Sequence, residues 1–235
     1  MDQSHDVLGL LLHTVDEDGK KFSETQVINQ AIGFLFAAHE TTVTLMSFLL
    51  FELGNRPEWR EKLRDEYREV VGSGAIELAH LRQLSQMSNV LKEGERLYPP
   101  AGFIIRGVLE DIEICGYQIP AGWNVIAAPI FTHRLPEIYA EPDKFDPDRF
   151  APPRLEDTKQ PYSLIGFGGG AHSCIGVEFA KMEMKLILGI LLDNYDLGSD
   201  PLPDDVEYPI RQMITAQPKL TAKLTPLESN LGLSD

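Results

Sequence analysis

Phe167-Gly168-Gly169-Gly170-Ala171-His172-Ser173-Cys174-Ile175-Gly176 runs without a break into an apolar, helix-forming segment from Val177 to Leu192. Four of these ten residues are glycine, which tolerates positive φ and lets a large flat body approach the backbone closely. One cysteine stands at the mouth of the helix, where partial positive charge and unpaired N–H groups favour an anion. Cys174 is thereby placed to be a thiolate, and in a chain with only one other cysteine, Cys115, a thiolate is a nucleophile or a metal ligand. Three plainer readings compete. A phosphate-cradling P-loop would need Lys followed by Ser or Thr after its last glycine, and neither is present. A nucleophile would need a base, and the spacing of His172, two residues away, does not by itself aim it at the sulfur. An inert helix start leaves the offsets of Phe, Gly, His and Cys unexplained.

Three upstream stretches carry chemistry of their own. Phe145-Asp146-Pro147-Asp148-Arg149-Phe150 lies ahead of an irregular segment from Ala151 to Ile165. Leu84 to Leu97 reads as a helix containing Glu93-Gly94-Glu95-Arg96, in which Glu93 and Arg96 share a face and can pair. Such a pair is worth under ~1 kcal/mol on a surface. Further upstream, Ser23 with Gln26 makes a capping box, and the pattern from Glu24 to Gly54 stays helical without proline, a length of ~45 Å. Its apolar positions cover nearly the full circumference, which predicts a buried central helix. Within it, Ala37-Ala38-His39-Glu40-Thr41-Thr42 sets two small residues beside an acid and two hydroxyls. These polar groups are costly to bury without partners.

The loop pattern Phe-x-x-Gly-x-His-x-Cys-x-Gly resembles the haem-binding loop of the cytochrome P-450 superfamily, the haem-thiolate monooxygenases, and the three upstream stretches follow in that family's order. The resemblance implies a mainly α fold with a small antiparallel β region, of which residues 1–235 are the C-terminal part and the N-terminal part is absent. It implies haem b (iron protoporphyrin IX) with Cys174 as the proximal iron ligand, the sulfur's electron donation favouring O–O cleavage on the opposite face. By the same resemblance Phe167, Gly168 and Gly176 shape the haem loop, His172 and Arg106 reach the propionates, and Ala37 and Ala38 let the flat ring pass. Thr41 is assigned a hydrogen bond to the oxygen being reduced, and Glu40 a place in the proton relay. Glu93, Arg96 and Arg149 are assigned a buried structural triad, in which losing one partner costs ~3–5 kcal/mol. Ala171 stands where relatives often carry Arg, so the polar contact that Arg makes is missing.

The implied reaction inserts one atom of O2 into a lipophilic substrate of retinoid, sterol, fatty acid or terpenoid type. Electrons would come from a redox partner, a ferredoxin or a flavoprotein reductase. Peroxygenase or isomerase chemistry on the same site, or a non-catalytic fragment unable to hold haem, are the competing expectations.

Composition bounds these readings. The 235 residues are 43% hydrophobic, enough for a substantial core, and 21 Lys and Arg against 36 Asp and Glu give a net charge of −15. Nucleic-acid binding through a basic surface is not expected. Two cysteines make no disulfide framework, which fits a reducing, cytoplasmic setting, although the missing segment could carry a membrane anchor. No apolar run approaches the ~18 residues of a membrane span; the longest, Ile32 to Leu53, is interrupted by His39 and Glu40.

Between these landmarks, Asp6 to Val15 reads as the end of a helix and Pro57 to Val71 as an amphipathic one, with Trp59, Leu63, Tyr67 and Val70 on its inner face. Phe103–Val108, Ile112–Ile114, Tyr117–Ile119 and Trp123–Ala127 read as short antiparallel strands. The uncharged stretch Ala101 to Ile105 borders the substrate cavity by resemblance. Phe179, Met182, Leu186, Ile187, Ile190 and Leu191 are expected to form the core face of the helix after the loop. Ile210–Ile214 and Lys219–Leu224 are expected to close a hairpin.

Overall fold

The computed structural model describes residues 6–72, 74–199 and 221–227. The chain divides into two compact units, 1–41 and 42–235.

In the first unit, α1 (Val7–His13) starts at Asp6, whose Oδ1 accepts the Gly9 amide at 2.7 Å. Ser23 and Gln26 cap the following helix reciprocally: the Ser23 amide donates to Gln26 Oε1 at 2.8 Å and the Gln26 amide to Ser23 Oγ at 3.3 Å. That helix, α2 (Glu24–Gly54), is continuous over 31 residues and passes from the first unit into the second.

The second unit is built on the later half of α2 with α3 (Pro57–Val71), α4 (Leu78–Gln83), α5 (Ser85–Leu97), α6 (Pro129–Thr132) and α7 (Val177–Asn194). Leu45, Leu49 and Leu53 recur every fourth residue on α2 and are fully buried with Leu63, Met87, Met184 and Leu188. Two glycines permit the close helix approaches. A Cβ on Gly94 would stand 2.6 Å from Leu49 Cδ2, and one on Gly189 would stand 2.3 Å from the Tyr67 ring.

The charged side of α3 is not merely solvated. Arg64 Nε donates to the Leu192 carbonyl at 2.6 Å and Arg68 Nε to Asp193 Oδ1 at 2.7 Å, so cations meet the C-terminal end of α7. Glu66 accepts the Gln86 and Met87 amides at 2.6 and 3.0 Å, an anion at the N-terminus of α5.

Among the described residues, three two-stranded antiparallel sheets join these helices. Strands β1 (Ile104–Gly107) and β4 (Asn124–Ala127) pair around β2 (Ile112–Ile114) and β3 (Tyr117–Ile119). Cys115 and Gly116, at φ 52° and 83°, turn β2 into β3 as a tight hairpin requires. The last pair joins β5 (Tyr195–Ser199) to β6 (Ala222–Pro226).

Three expectations need correction. Helix α2 is not buried throughout: Ile28, Ile32, Leu35 and Phe36 are exposed, because only its later half is packed by α5 and the rest of the core. By length and composition α2 also meets the test for a membrane span, against the expectation that no run comes near one; the central helix of a soluble protein passes the same test. On α7 the core face is Met184, Leu188 and Leu192, while Phe179, Ile187 and Ile190 are exposed. Residues 222–226 pair with Tyr195–Ser199, and the partner expected for this stretch, Ile210–Ile214, lies outside the described residues.

Candidate functional site

Glu93 sits on α5 with no exposed surface, and both of its oxygens are taken. Arg96 meets it through Nε at 2.7 Å and Nη2 at 2.9 Å, the forked geometry of a guanidinium–carboxylate pair. Arg149, from the short 3-10 turn Pro147–Phe150, brings its Nε to 3.1 Å from each Glu93 oxygen. The remaining guanidinium protons go to loop carbonyls: Arg96 to His133 and Lys144, Arg149 to Ala140 and Lys144. Arg149 also meets Glu156 at 2.7 Å, and Arg154 bridges Glu156 at 3.0 Å to Asp146 at 2.6 Å. Glu93, Asp146 and Glu156 thus face Arg96, Arg149 and Arg154 in a charge-balanced cluster. Burial pushes the Glu156 and Asp146 carboxyls up, but their arginine partners outweigh it and hold both below the usual carboxylate range.

Sequence reading missed Glu156 and Arg154, since both lie in a segment without periodicity. It also missed two side chains that receive the start of the glycine-rich loop. His133 is fully buried; its Nδ1 lies 3.1 Å from the Arg96 carbonyl and its Nε2 accepts the Ile165 amide at 2.9 Å. Those partners select the neutral ring with its proton on Nδ1. Burial, reinforced by the Arg96 and Arg134 charges, pushes the imidazole down to about 4. Glu95, 6% exposed, accepts the Gly166 amide at 2.9 Å.

Beyond these anchors the loop turns on itself. Gly168 and Gly170 adopt φ of 77° and 68°, a conformation that favours glycine. A Cβ on Gly169 would stand 2.8 Å from the Tyr162 ring. The Ser173 amide and hydroxyl both donate to the Gly170 carbonyl, and the Cys174 amide donates to the Phe167 carbonyl at 2.8 Å. Cys174 is a free, exposed thiol three residues ahead of α7, whose first turn follows Gly176. Phe167, Gly168, His172, Cys174 and Gly176 therefore share one loop, with His172 exposed at the end of a short 3-10 turn, Gly170–His172.

The other predicted site residues stand elsewhere. Arg106 is exposed on β1 and donates to the carbonyl of its neighbour Ile105. In the first unit, Thr41 Oγ1 donates to the Ala37 carbonyl at 2.7 Å, and Glu40 lies 3.2 Å from His39 Nδ1. Ala37 and Ala38 are exposed on the same stretch.

The donor set fits a haem. Among the described residues no group of three or more His, Cys, Asp or Glu side chains could hold a metal ion. A metal at Cys174 must bring most of its own ligands, as a porphyrin-bound iron does. Gly170 has open space where a Cβ would stand, and a Cβ on Gly176 would stand 3.8 Å from the Cys174 sulfur, so this side of the loop leaves room for a flat ring.

Comparison with known proteins agrees. The cytochrome P450 family model matches residues 1–225. A cytochrome P450 of Mycobacterium tuberculosis is 40% identical over 193 residues, 82% of this chain and 39% of that protein. The sterol 14alpha-demethylase of Mycolicibacterium vanbaalenii is 35% identical over 211 residues, 89% of this chain and 47% of its own. Retinoic acid bound cyanobacterial CYP120A1 superposes with a TM-score of 0.87 at 33% identity, covering 97% of this chain and 52% of that one. The chain spans about half the length of the relatives it matches. With the matched residues running from one end of the described structure to the other, this chain belongs to the cytochrome P450 family.

Proposed function

We propose that this chain supplies the haem-carrying part of a haem-thiolate monooxygenase that inserts one atom of O2 into a lipophilic substrate. The observation that carries the proposal is Cys174: a free thiol in a glycine-rich turn, its backbone held by Phe167, at the entrance to α7. When bound, the haem supplies dioxygen activation, with electrons from a ferredoxin or a flavoprotein reductase. Cys174 would ligate the iron, while Phe167, Gly168 and Gly176 leave the ring its space. His172 and Arg106, exposed cations or donors without a carboxylate partner among the described residues, are suited to the propionates. Glu40 and the Thr41 hydroxyl would hold and move protons. Because Thr41 Oγ1 donates to the Ala37 carbonyl, it offers an oxygen that can accept from water or turn to donate.

The substrate class is inferred from relatives and from local chemistry. The sterol 14alpha-demethylase and the retinoic acid bound neighbour are consistent with a lipid of retinoid, sterol, fatty acid or terpenoid type. Ala101 to Ile105 is uncharged, which suits such a ligand.

In protein made with haem supplied, Cys174→Ser should abolish the long-wavelength band of the reduced CO complex, and persistence of that band would overturn the ligand assignment. In a complete enzyme Thr41→Ala should divert electrons to peroxide; unchanged coupling of reductant to product would exclude its role. A second reading, that these 235 residues do not retain haem unaided, draws support from Cys174 being exposed and Ile175 being 85% exposed. Haem content of the purified chain separates the two.

A further inference from the structure

The backbone entering the haem loop is gripped at two successive amides by two side chains outside the Glu93–Arg96–Arg149 cluster. His133 Nε2 takes the Ile165 amide at 2.9 Å, and Glu95 takes the Gly166 amide at 2.9 Å. The next link is the Phe167 carbonyl, which accepts the Cys174 amide at 2.8 Å. Gly166 is tailored to this grip, since a Cβ there would stand 2.4 Å from Glu95 Cγ. Glu95 contributes nothing to the neighbouring arginine cluster, so its burial is otherwise unaccounted for. We propose that Glu95 and His133 are positioning residues for Cys174, fixing the loop through the amides of Ile165 and Gly166 and thereby the backbone that carries the sulfur.

The two side chains titrate in opposite senses. Burial pushes Glu95 up to about 7, an effect that the Lys181 and Lys92 charges and its backbone hydrogen bonding only partly offset. His133 is pushed down to about 4 by burial and by Arg96 and Arg134. Arg82 on α4 and Glu178 and Lys185 on α7 line, together with Glu95, a cavity of about 480 Å³. Opening the loop lets both groups recover their ordinary values of 4.5 and 6.5. Between pH 4.5 and 7 the closed form therefore holds the Glu95 proton more tightly than the open one, and raising the pH favours opening. Between pH 4 and 6.5 the open form binds the His133 proton more tightly, and raising the pH favours closing. From pH 4.5 to 6.5 the two slopes oppose each other.

The inference rests on the reading of Cys174 as the haem ligand, but its test needs no haem. Amide hydrogen exchange in the 235-residue chain reads protection at Ile165, Gly166, Phe167 and Cys174, with Leu188 in α7 as the reference. Glu95→Leu leaves the Gly166 amide without an acceptor and should lower protection at Gly166 and Cys174 by about tenfold or more, with Leu188 unchanged. An unchanged Cys174 amide would overturn the proposal. Glu95→Gln keeps an uncharged acceptor and should restore protection. It leaves His133 titrating alone, so protection should rise more steeply from pH 4.5 to 6.5 than in wild type. If Glu95→Leu does not fold, this profile decides: a Glu95→Gln curve parallel to wild type would reject the assignment. Failure of the ligand reading itself would show only in the reduced-CO spectrum of Cys174→Ser.

Discussion

The back of the glycine-rich loop and its front are built on opposite terms. At the back, Glu93, Arg96 and Arg149 have no exposed surface and His133 none; every charge there has a partner within the chain. At the front, Cys174 is exposed, Ile175 is 85% exposed and Phe179 on the first turns of α7 is 62% exposed. The chain makes the scaffold that holds the loop from its own residues, whereas the surface the loop presents has no counterpart among the described residues. Disturbing the back should therefore unfold the unit, and disturbing the front should change only what the loop can bind.

The largest effect should come from Glu93→Ala, which leaves the buried Arg96 without a carboxylate and Arg149 with Glu156 alone; a loss of about 3–5 kcal/mol in urea unfolding is expected. A loss under about 1 kcal/mol would mean that the cluster behaves as a surface pair and the contrast is false. Next, acid should attack the back first. Asp146 and Glu156 sit below their ordinary values of 3.8 and 4.5, so their contribution is complete above those values and is lost as pH falls below them through the depressed ones. Glu156→Gln should accordingly flatten the fall in stability as the pH drops below 4.5; an unaltered slope would remove Glu156 from the cluster's acid response. Gly189→Ala, pressing a methyl group onto the Tyr67 ring, should cost about 1–3 kcal/mol at the α3–α7 contact. Combining it with Tyr67→Leu should recover part of that loss if the ring is what is struck. At the front, Cys174→Ser should stay within about 0.5 kcal/mol of wild type in the haem-free chain. A larger loss would mean that the thiol also serves the fold.

Much of this was legible without coordinates. The glycine-rich stretch with its lone thiol, the Glu93–Arg96 spacing on one helix face and the uninterrupted pattern from Glu24 to Gly54 are local features, and local features survive in a sequence. The pairing of Arg149 with Glu93 crosses 56 residues, yet the family resemblance supplied it. Helix α7 shows where such reading fails. It is apolar on more than one side, so periodicity could not choose between the Phe179–Ile187–Ile190 side and the Met184–Leu188–Leu192 side; packing against α3 and α5 chose the second. Helix α2 failed for the same reason, its apolar circumference implying burial that only its later half attains.

Alone, the amino-acid order determined which backbone segments are helical, where glycine must stand, and that one thiol lies at a helix entrance, because each depends on interactions within a few residues. Tertiary structure decided which apolar faces are buried, and it assigned Glu95, His133 and Glu156 their partners 71, 32 and 7 residues away. A buried acid or imidazole is tolerated only where amides and guanidinium groups converge on it, and that convergence comes from the packing of separate elements.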